Sequence, residues 1–493
     1  MQLIKLNKEP NISQKFKALP YQDQAVKTIC DLEYAAVFHE QGLGKSKIAI
    51  DVMLYWIEKK YVDTVLIVAK KGLINNWVKE MQKHIFIKPL ILTQNKRDNY
   101  YVFNSPSRLM LAHYEALKLE KERFKIFLKA RNVAVILDES TKIKNPNSAL
   151  TNAFIELAPL FKKRIIMTGL PVANRPFDIW SQIYFLDHGK SLGGNFEEFR
   201  KSTDLDKELN TSKERQGLFE DKVSAIYKKI SAFTVRETKN SGIIKLPDKV
   251  FQNIITTWES RQQDIYCQIK NELRTVVMKG GIPVQDENEE ILKRLLRLIQ
   301  VSSNPKMIDE NYLFEPGKNS YLNELVTHIC SQGEKCIIWS GFIENVDELA
   351  IFLNHFGVCK IHGKLNMEQR NKMIESFMSD QLKQVLIATP GAAKEGLTLT
   401  VANHAIFYDR GFSLDDYLQA QDRIHRISQT KTCYVYNLIM EDSIDQWIDA
   451  LLRAKELAAK LAQGDISVDY FKSQISYNFY DILQEILDIK RKE

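Results

Sequence analysis

The fold of this chain is decided by residues 33–47, EYAAVFHEQGLGKSK, which join a strand, a glycine turn and a helix. The apolar residues 35–38 predict a short buried strand. It runs into a loop that contains Gly42 and Gly44, and helical spacing of apolar residues begins directly afterwards. Glycines let main-chain N–H groups approach an anion, and the start of a helix attracts negative charge. The stretch therefore predicts a phosphate-binding loop.

Two residues at the start of the predicted helix support this interpretation. Lys45 is placed to reach the β- and γ-phosphates of a nucleotide, and the hydroxyl of Ser46 is placed to ligate Mg²⁺. The full loop pattern has a glycine five positions before Gly44, where this chain has His39. The alternative is a helix that merely begins after Gly-Leu-Gly.

Length and composition set the limits for the rest of the chain. The 493 residues predict two or three domains, and 44% hydrophobic with 27% charged residues is typical of a soluble globular protein. The chain has no long apolar run and no signal-peptide pattern at its N-terminus, so we expect no membrane span and a cytoplasmic location. The net charge of +7 permits a polyanionic partner without requiring one.

The cysteines are too scattered to predict a metal site. No two of them form a CxxC pair, so neither a zinc site nor a disulfide framework is expected, and a reducing compartment is the simplest interpretation. The six are Cys30, Cys267, Cys330, Cys336, Cys359 and Cys433.

The segment after the loop alternates helix and strand. Residues 45–60 predict a helix, 62–70 a second buried strand and 73–84 an amphipathic helix. In a doubly wound sheet, ligands bind at the carboxyl ends of the strands. Lys70 and Lys71 stand at such an end, where they either contact a nucleic-acid backbone or are simply solvated. Trp77 is predicted to pack.

Two adjacent acids follow the next strong strand signal. The apolar residues 133–137 lead directly into Asp138 and Glu139. One carboxylate of such a pair can hold Mg²⁺, partly through water, while the other polarises an attacking water, as phosphoryl transfer requires. The alternative is an ordinary hydrated strand end.

Three further residues have a function only if they lie next to the predicted nucleotide site. A strand ends at Thr168 and Gly169, before a helix predicted from about Pro176. These small residues either join the nucleotide site to a second site or simply form a turn. Upstream, Gln22 lies at a predicted helix start and carries an amide that can both donate and accept.

The second half of the chain begins with charged helical segments over residues 190–315. Within them, residues 234–250 predict a polar crossover and residues 279–290 an exposed loop. A second α/β pattern then starts at about residue 334. It ends in a predicted helix on which Arg423 and Arg426 share one face, as residues three positions apart do. Two guanidinium groups on one face suit phosphate recognition, although an arginine-rich surface helix is the simpler alternative.

In this order the motifs resemble those of the Swi/Snf-type DNA-dependent ATPases of helicase superfamily two, from about Leu19 to Leu438. The segments similar to the family's motifs are LPYQ, HEQGLGKS, LDESTKIKNPNS, MTGLPVANRPFDIWS, ATPGAAKEGLTLT and QAQDRIHRISQ. The last match is the most specific. The resemblance implies two tandem RecA-like α/β lobes with helical insertions around their junction, and it implies ATP, Mg²⁺ and duplex or branched DNA as ligands.

The resemblance also assigns roles to residues. The ATP-binding set is Gln22, Gly42, Leu43, Gly44, Lys45, Ser46 and Gly396. The catalytic set is Lys45, Glu139, Arg423 and Arg426, with the two arginines as arginine fingers. Ser46 and Asp138 are the metal ligands. Thr168, Gly169 and Gln419 are assigned to coupling and Thr389 to DNA contact, for which Lys70 and Lys71 are candidates from their place at a strand end.

Three positions depart from the family's motifs. His39 stands where the family usually has an acid, Leu170 replaces the second threonine of TGTP, and Ser140-Thr141 replace Ala-His after the two acids. The resemblance implies that the last pair of positions couples hydrolysis to nucleic acid, so the strength of that coupling is open in this chain.

These features predict three regions: a nucleotide-binding lobe over 1–248, a helical insertion with the second lobe over 249–445, and a helical tail over 446–493. We expect a minimal ATP-driven translocase or remodeller on DNA, of the kind encoded by bacteria, phages or mobile elements. The alternatives are a strand-separating helicase on DNA or RNA, and a nucleotide-gated DNA clamp with little turnover. Protein partners are not indicated.

Overall fold

The computed structural model describes residues 4–242, 246–280, 289–392, 398–426 and 428–487. The chain divides into two compact units, each drawn from stretches far apart in sequence. The first unit comprises Met1–Asp204, Leu218–Ile244 and Ala459–Val468. The second unit comprises Leu205–Gly217, Lys245–Ala458 and Asp469–Glu493.

The first unit is built on a parallel sheet. Its strands are β1 (Tyr34–Val37), β2 (Thr64–Ala69), β3 (Leu90–Ile91), β4 (Leu109–His113), β5 (Val133–Asp138), β6 (Lys163–Met167) and β7 (Thr234–Val235). Among the described residues their order across the sheet is β3-β4-β2-β5-β6-β1-β7. Every side chain of β2 is buried. A parallel sheet covered on both faces explains why its strands are continuous apolar runs.

Helices cover this sheet and supply much of its core. In chain order they are α1 (Pro20–Ile29), α2 (Lys45–Glu58), α3 (Ile74–His84), α4 (Lys96–Asn104), α5 (Tyr114–Leu119), α6 (Lys121–Ala130), α7 (Ala149–Leu157), α8 (Trp180–Asp187), α9 (Phe196–Thr203) and α10 (Lys213–Ile230). Ile48, Met53 and Trp56 of α2 join Val65 and Ile67 of β2 in one buried cluster.

The register of three neighbouring strands positions the functional residues. Val37 of β1 lies beside Met167 of β6, which in turn lies beside Asp138 of β5. The three strands therefore end at the same level, and the loops that follow them meet at one edge of the sheet. This edge is where ligands bind in open parallel sheets.

The second unit has a parallel sheet of its own. Its strands are β8 (Lys249–Thr256), β9 (Cys336–Trp339), β10 (Val358–Ile361), β11 (Val385–Ala388), β12 (His404–Phe407) and β13 (Cys433–Met440). Their order within the described residues is β10-β11-β9-β12-β13-β8. Two buried clusters pack on the sheet, one including Trp339 and the other Ile338.

The remaining helices follow the same alternation and extend to the C-terminus. They are α11 (Ser260–Gly280), α12 (Glu289–Ser303), α13 (Lys318–Ser331), α14 (Ile343–Phe352), α15 (Met367–Ser379), α16 (Leu414–Gln421), α17 (Ile444–Ala462), α18 (Val468–Gln474) and α19 (Phe479–Ile486). Two α/β units with parallel sheets confirm the predicted fold class.

The chain passes from the first unit to the second within the predicted polar crossover at 234–250, as expected, although strands occupy both ends of that segment. Its first residues form β7 at one edge of the first sheet, and its last residues begin β8 at one edge of the second. A two-residue strand is too short for a periodic signal, and β8 exposes Phe251 and Ile255 as edge strands can. Most of the predicted loop at 279–290 lies outside the described residues.

No helix among the described residues combines the length and the apolarity needed to cross a bilayer.

Candidate functional site

The loop between β1 and α2 has the backbone that a phosphate cradle requires. Gly42 and Gly44 have φ angles of 87° and 71°, in the left-handed region that glycine tolerates best. A Cβ on Gly44 would also lie 2.2 Å from Nε2 of Gln22, so a side chain there would be strained and would displace the Gln22 amide. The first N–H groups of α2 follow directly, as an anion site at a helix N-terminus requires.

Lys45 lies inside this loop. Its Nζ donates to the main-chain oxygens of His39 at 3.0 Å and Glu40 at 3.2 Å. A Cβ on Gly169 would come within 3.2 Å of the same Nζ. Lys45 therefore lies beside the end of β6, and Ser46 follows it in the first turn of α2. A lysine ammonium group held by loop carbonyls at the start of a helix fits a bound triphosphate.

Gln22 and Leu43 belong to the wall of this loop. The amide of Gln22 accepts from Leu19 N at 3.0 Å, and its Nε2 lies 3.4 Å from the oxygen of Leu43. Tyr21 donates its hydroxyl to the same oxygen at 3.0 Å. Gln22, which was predicted to bind ATP, thus braces the phosphate loop from α1, a contact that sequence reasoning missed.

The two acids lie at the end of β5. Asp138 accepts from Nε1 of Trp77 at 2.8 Å on its side chain, and its main-chain oxygen accepts from the Tyr114 hydroxyl at 2.9 Å. Burial, followed by the charge of Glu139, raises the pKa of Asp138 to about 6. A divalent cation beside this carboxyl would reverse that preference and stabilise the charged form, so the site fits Mg²⁺.

Trp77 therefore does more than the predicted packing. Its side chain is 2% exposed, and its indole N–H orients the carboxylate that the sequence predicts as a metal ligand. A buried indole N–H usually finds an acceptor, which is the signal that could have suggested such a bond. The partner itself is 61 positions away in sequence.

Glu139 has an unusual backbone for its residue type. Its φ of 55° is left-handed, and the chain turns there from β5 into a short 3₁₀ turn over Ser140–Ile143. A non-glycine residue in this conformation is held there by its surroundings and is common at functional sites. The carboxylate is thereby carried to the loop after β6, where its Oε2 lies 3.4 Å from Oγ1 of Thr168.

Thr168 and Gly169, the residues of the first unit that are predicted to couple the nucleotide site to a second site, lie against Glu139 and the phosphate loop. Thr168 approaches Glu139, and its hydroxyl accepts from Leu170 N at 3.3 Å. Gly169 touches the phosphate loop, since a Cβ there would lie 2.6 Å from Cγ of Gln41 and 2.9 Å from its main-chain nitrogen. The loop after β6 therefore links the acid to the cradle.

The lysines predicted to contact DNA stand at the same edge of the sheet. Lys70 directly follows β2, and Lys71 begins a 3₁₀ turn. Lys71 is exposed and Lys70 is half-buried. Because β2 is the neighbour of β5, the positive charge of Lys70 lowers the pKa of Asp138, against the raising effects of burial and Glu139.

The helix predicted to carry the two arginines is shorter than expected. α16 ends at Gln421, so Gln419 is on the helix while Arg423 and Arg426 follow it in a turn. After the helix, the N–H groups of Arg423 and Ile424 donate three residues back, to the oxygens of Ala420 and Gln421, and the oxygen of Arg423 accepts from Leu399 N at 3.0 Å. The shared helix face was therefore a wrong prediction.

The turn nevertheless gives each arginine a defined environment in the second unit. Arg423 is 3% exposed. Arg426 donates from Nε to the oxygen of Asp422 at 3.0 Å and from a terminal nitrogen to Oγ1 of Thr398 at 2.8 Å. Of the other residues assigned to this unit, Thr389 follows β11 and is 8% exposed, and Gly396 lies outside the described residues.

Comparisons with known proteins identify relatives of this chain. A family model described as the SNF2-related domain matches residues 21–307, and one described as the helicase conserved C-terminal domain matches residues 317–428. An uncharacterized ATP-dependent helicase of Mycoplasma genitalium is 27% identical over 468 residues, which are 92% of this chain and 43% of that protein.

Two further matches extend the comparison. The ISWI chromatin-remodeling complex ATPase ISW1 of Saccharomyces cerevisiae is 24% identical over 457 residues, 87% of this chain and 39% of that protein. The Sulfolobus solfataricus SWI2/SNF2 ATPase core, solved in complex with dsDNA, is similar with 22% identity and a TM-score of 0.42, covering 97% of this chain and 99% of that one.

The chain spans less than half the length of these two curated relatives. The SNF2-related model alone covers more than half of the chain, including the phosphate loop and the two acids, and the second model follows it in the same order. The chain therefore belongs to the SNF2-related family.

Proposed function

We propose that the chain is a DNA-dependent ATPase that uses ATP and Mg²⁺ to move along duplex or branched DNA. One observation carries the proposal. Lys45, Glu139 and the Thr168-Gly169 turn meet at one edge of the first sheet, because β1, β6 and β5 are neighbours that end at the same level. Phosphoryl transfer needs a phosphate-holding cation and a water-orienting acid in this proximity.

The residues would divide the work as follows. The bound nucleotide would supply the γ-phosphoryl group, with Mg²⁺ to neutralise its charge. Lys45 and the N–H groups at the start of α2 would hold the phosphates. Ser46 and Asp138 would hold the metal, and Glu139 would orient and deprotonate the attacking water. Arg423 and Arg426 are our candidates for stabilising charge on the γ-phosphoryl group.

DNA as the partner rests on family membership. The family model and the name of the yeast relative support a DNA-directed motor, and the net charge of +7 is compatible with a polyanionic partner. Lys70, Lys71 and Thr389 remain our candidates for DNA contact. We propose translocation or remodelling rather than strand separation.

The first test measures ATP turnover of the whole chain, alone and with single-stranded, duplex or branched DNA or with RNA. We expect duplex or branched DNA to stimulate turnover most. Lys45→Ala and Glu139→Gln should each lower the DNA-stimulated kcat by about 100-fold or more. The first removes the ammonium group that would hold the phosphates, and the second removes the carboxylate that would activate the attacking water. Lys129→Ala and Glu58→Gln change exposed residues of the same types and serve as controls.

The outcome separates the alternatives. Unchanged turnover in both Lys45→Ala and Glu139→Gln would reject the assigned site. Saturating DNA without any stimulation would favour a nucleotide-gated clamp. Displacement of the third strand from a triplex without unwinding of a forked duplex supports translocation, whereas unwinding of the fork would favour a strand-separating helicase.

A further inference from the structure

Trp77 connects the helix that follows β2 to the last residue of β5. It lies in the first turn of α3, which begins at Ile74, and β2 and β5 are paired neighbours in the sheet. Its indole Nε1 donates to Oδ2 of Asp138 at 2.8 Å. A ring that belongs to the buried core of the first unit therefore also contacts a carboxylate at the edge where ligands bind in parallel sheets.

This bond distinguishes the two oxygens of the Asp138 carboxylate. Trp77 holds Oδ2, whereas Oδ1 accepts no hydrogen bond from the residues that the structure describes. Asp138 is half-buried, while the five residues before it in β5 are buried, so it is the residue of this strand that reaches the surface at the sheet edge. Oδ1 is therefore the oxygen that remains for a metal ion.

The main chain at this strand end is held separately. Tyr114, which is buried, donates its hydroxyl to the main-chain oxygen of Asp138 at 2.9 Å. Because the backbone is fixed in this way, the indole bond decides how the carboxylate is rotated. Partners of this kind orient metal ligands, and their loss weakens metal binding by about 10- to 100-fold.

The number of oxygens that a carboxylate offers affects which cation it prefers. Mg²⁺ demands near-octahedral geometry, keeps several waters and takes few protein ligands beside the phosphate oxygens of a substrate. Ca²⁺ accepts about six to eight oxygens and often binds both oxygens of one carboxylate. A carboxylate with one oxygen already bound to an indole N–H suits Mg²⁺ better than Ca²⁺.

We propose that Trp77 is a positioning residue that makes Asp138 a ligand through one oxygen and thereby selects Mg²⁺ over Ca²⁺ at the nucleotide site. The inference rests on the proposed function, in which Ser46 and Asp138 hold the metal. Trp77 acts through Asp138 and not on the metal itself. The sequence predicted only packing for this residue, and a phenylalanine ring could pack there without an N–H group.

The test compares the wild-type chain with Trp77→Phe, which keeps an aromatic ring and removes the indole N–H. A fluorescent, non-hydrolysable ATP analogue is titrated with Mg²⁺ or Ca²⁺ in excess, and also with a chelator and no metal. The ratio of the Kd with Ca²⁺ to the Kd with Mg²⁺ measures the selectivity. This readout is binding and not turnover, and the Tm of each protein is measured alongside.

We expect the wild-type chain to bind the analogue more tightly with Mg²⁺ than with Ca²⁺. Trp77→Phe should lower that ratio by about fivefold or more, mainly through weaker binding with Mg²⁺. Without metal, the two proteins should bind the analogue alike within about twofold, because the helix N-terminus that receives the phosphates does not involve Trp77.

Trp56→Phe is the matched control. Trp56 belongs to the same buried cluster as Trp77, is 1% exposed and donates its indole N–H to the main-chain oxygen of Cys30 at 2.7 Å. This variant also loses a buried indole bond, so it should lower the Tm, but it should keep the metal ratio of the wild type. If Trp77→Phe does not fold, benzothienylalanine at position 77 keeps the bicyclic shape and replaces the N–H by sulfur.

A wild-type chain that does not prefer Mg²⁺ would overturn the inference. An unchanged ratio in Trp77→Phe would do the same, as would a ratio that follows the Tm through Trp56→Phe. A ratio that falls in Trp77→Phe alone supports the inference. Failure of the proposed function is a separate result, because the wild-type chain would then show no ATP turnover that DNA stimulates, whichever metal the analogue prefers.

Discussion

Burial shifts the pKa of single residues in this site, in addition to the effect of neighbouring charges. His39 stands where the family has an acid, and only 2% of it is exposed. Burial, and then the positive charges of Lys45 and Arg236, lower the pKa of His39 to about 4. A neutral imidazole is therefore compatible with a loop that must hold a lysine and receive phosphates, and the carbonyl of His39 still binds Lys45.

This pKa predicts how stability depends on pH. The unfolded pKa of histidine is about 6.5, so the unfolded chain binds the extra proton first as pH falls. The stability that the folded state gains by keeping His39 neutral is fully present above about pH 6.5, and it is lost as the pH falls towards the folded pKa. Between pH 7 and pH 5 the first unit should lose about 2 kcal/mol from this residue alone. Hydrogen exchange of β1 and β6 peptides at the two pH values measures it.

The control for this prediction is a second histidine. His39→Asn should remove the expected share of the pH dependence, whereas His355→Asn, at an exposed position, should leave it in place. Equal pH dependence in the wild type and in His39→Asn would contradict the assigned protonation.

At the scale of elements, the strand β7 connects the phosphate loop to a distant segment. Arg236 follows β7 and donates to the oxygen of Phe38 at 2.6 Å, just before the loop. The same guanidinium binds Asp465 through two nitrogens, one at 2.6 Å, and 6% of the Arg236 side chain is exposed. Residues Ala459–Val468 thereby become part of the first unit.

Removing the charge of Asp465 should loosen this connection. Asp465→Asn weakens two charge-assisted bonds to a buried guanidinium, which should cost the first unit about 1.5 kcal/mol. Exchange of amides in residues 234–242 and in the phosphate loop should accelerate. Asp221→Asn, an exposed change in the same unit, is the control. Faster exchange confined to the C-terminal segment would contradict a role of Asp465 in holding the loop.

Local sequence patterns predict the ends of the strands at the candidate nucleotide site. They do not predict the end of α16, for a physical reason. The strands that end at Val37 and Asp138 were predictable because central parallel strands are continuous apolar runs. The end of α16 was not, because the turn after Gln421 is accompanied by a main-chain bond from Leu399 N to the oxygen of Arg423, which no local pattern indicates. Such a bond depends on a loop from another part of the unit.

At the scale of the whole molecule, nucleotide binding should act first on the first unit. The cradle, the acids and the loop after β6 all belong to that unit. The proposed arginines belong to the second unit, so they would contribute to turnover more than to binding.

A non-hydrolysable ATP analogue with Mg²⁺ should therefore slow hydrogen exchange in β1, β5 and β6. At 100 times its Kd the stabilisation should be about 2.7 kcal/mol. Lys45→Ala should abolish it at the same concentration, and chelation of Mg²⁺ should reduce it. Arg423→Ala should keep most of it, and a loss as large as in Lys45→Ala would contradict this division between binding and turnover.

The sequence by itself determined the fold class, the phosphate loop and the two acids, because these depend on apolar runs, glycines and strand ends that are local in the chain. It also indicated the family through the order of its motifs. Only the tertiary structure decided the bond from Trp77 to Asp138 and the bond from Arg236 to Asp465. These side-chain bonds join residues 61 and 229 positions apart. Their formation depends on which elements pack together, and no local pattern carries that information.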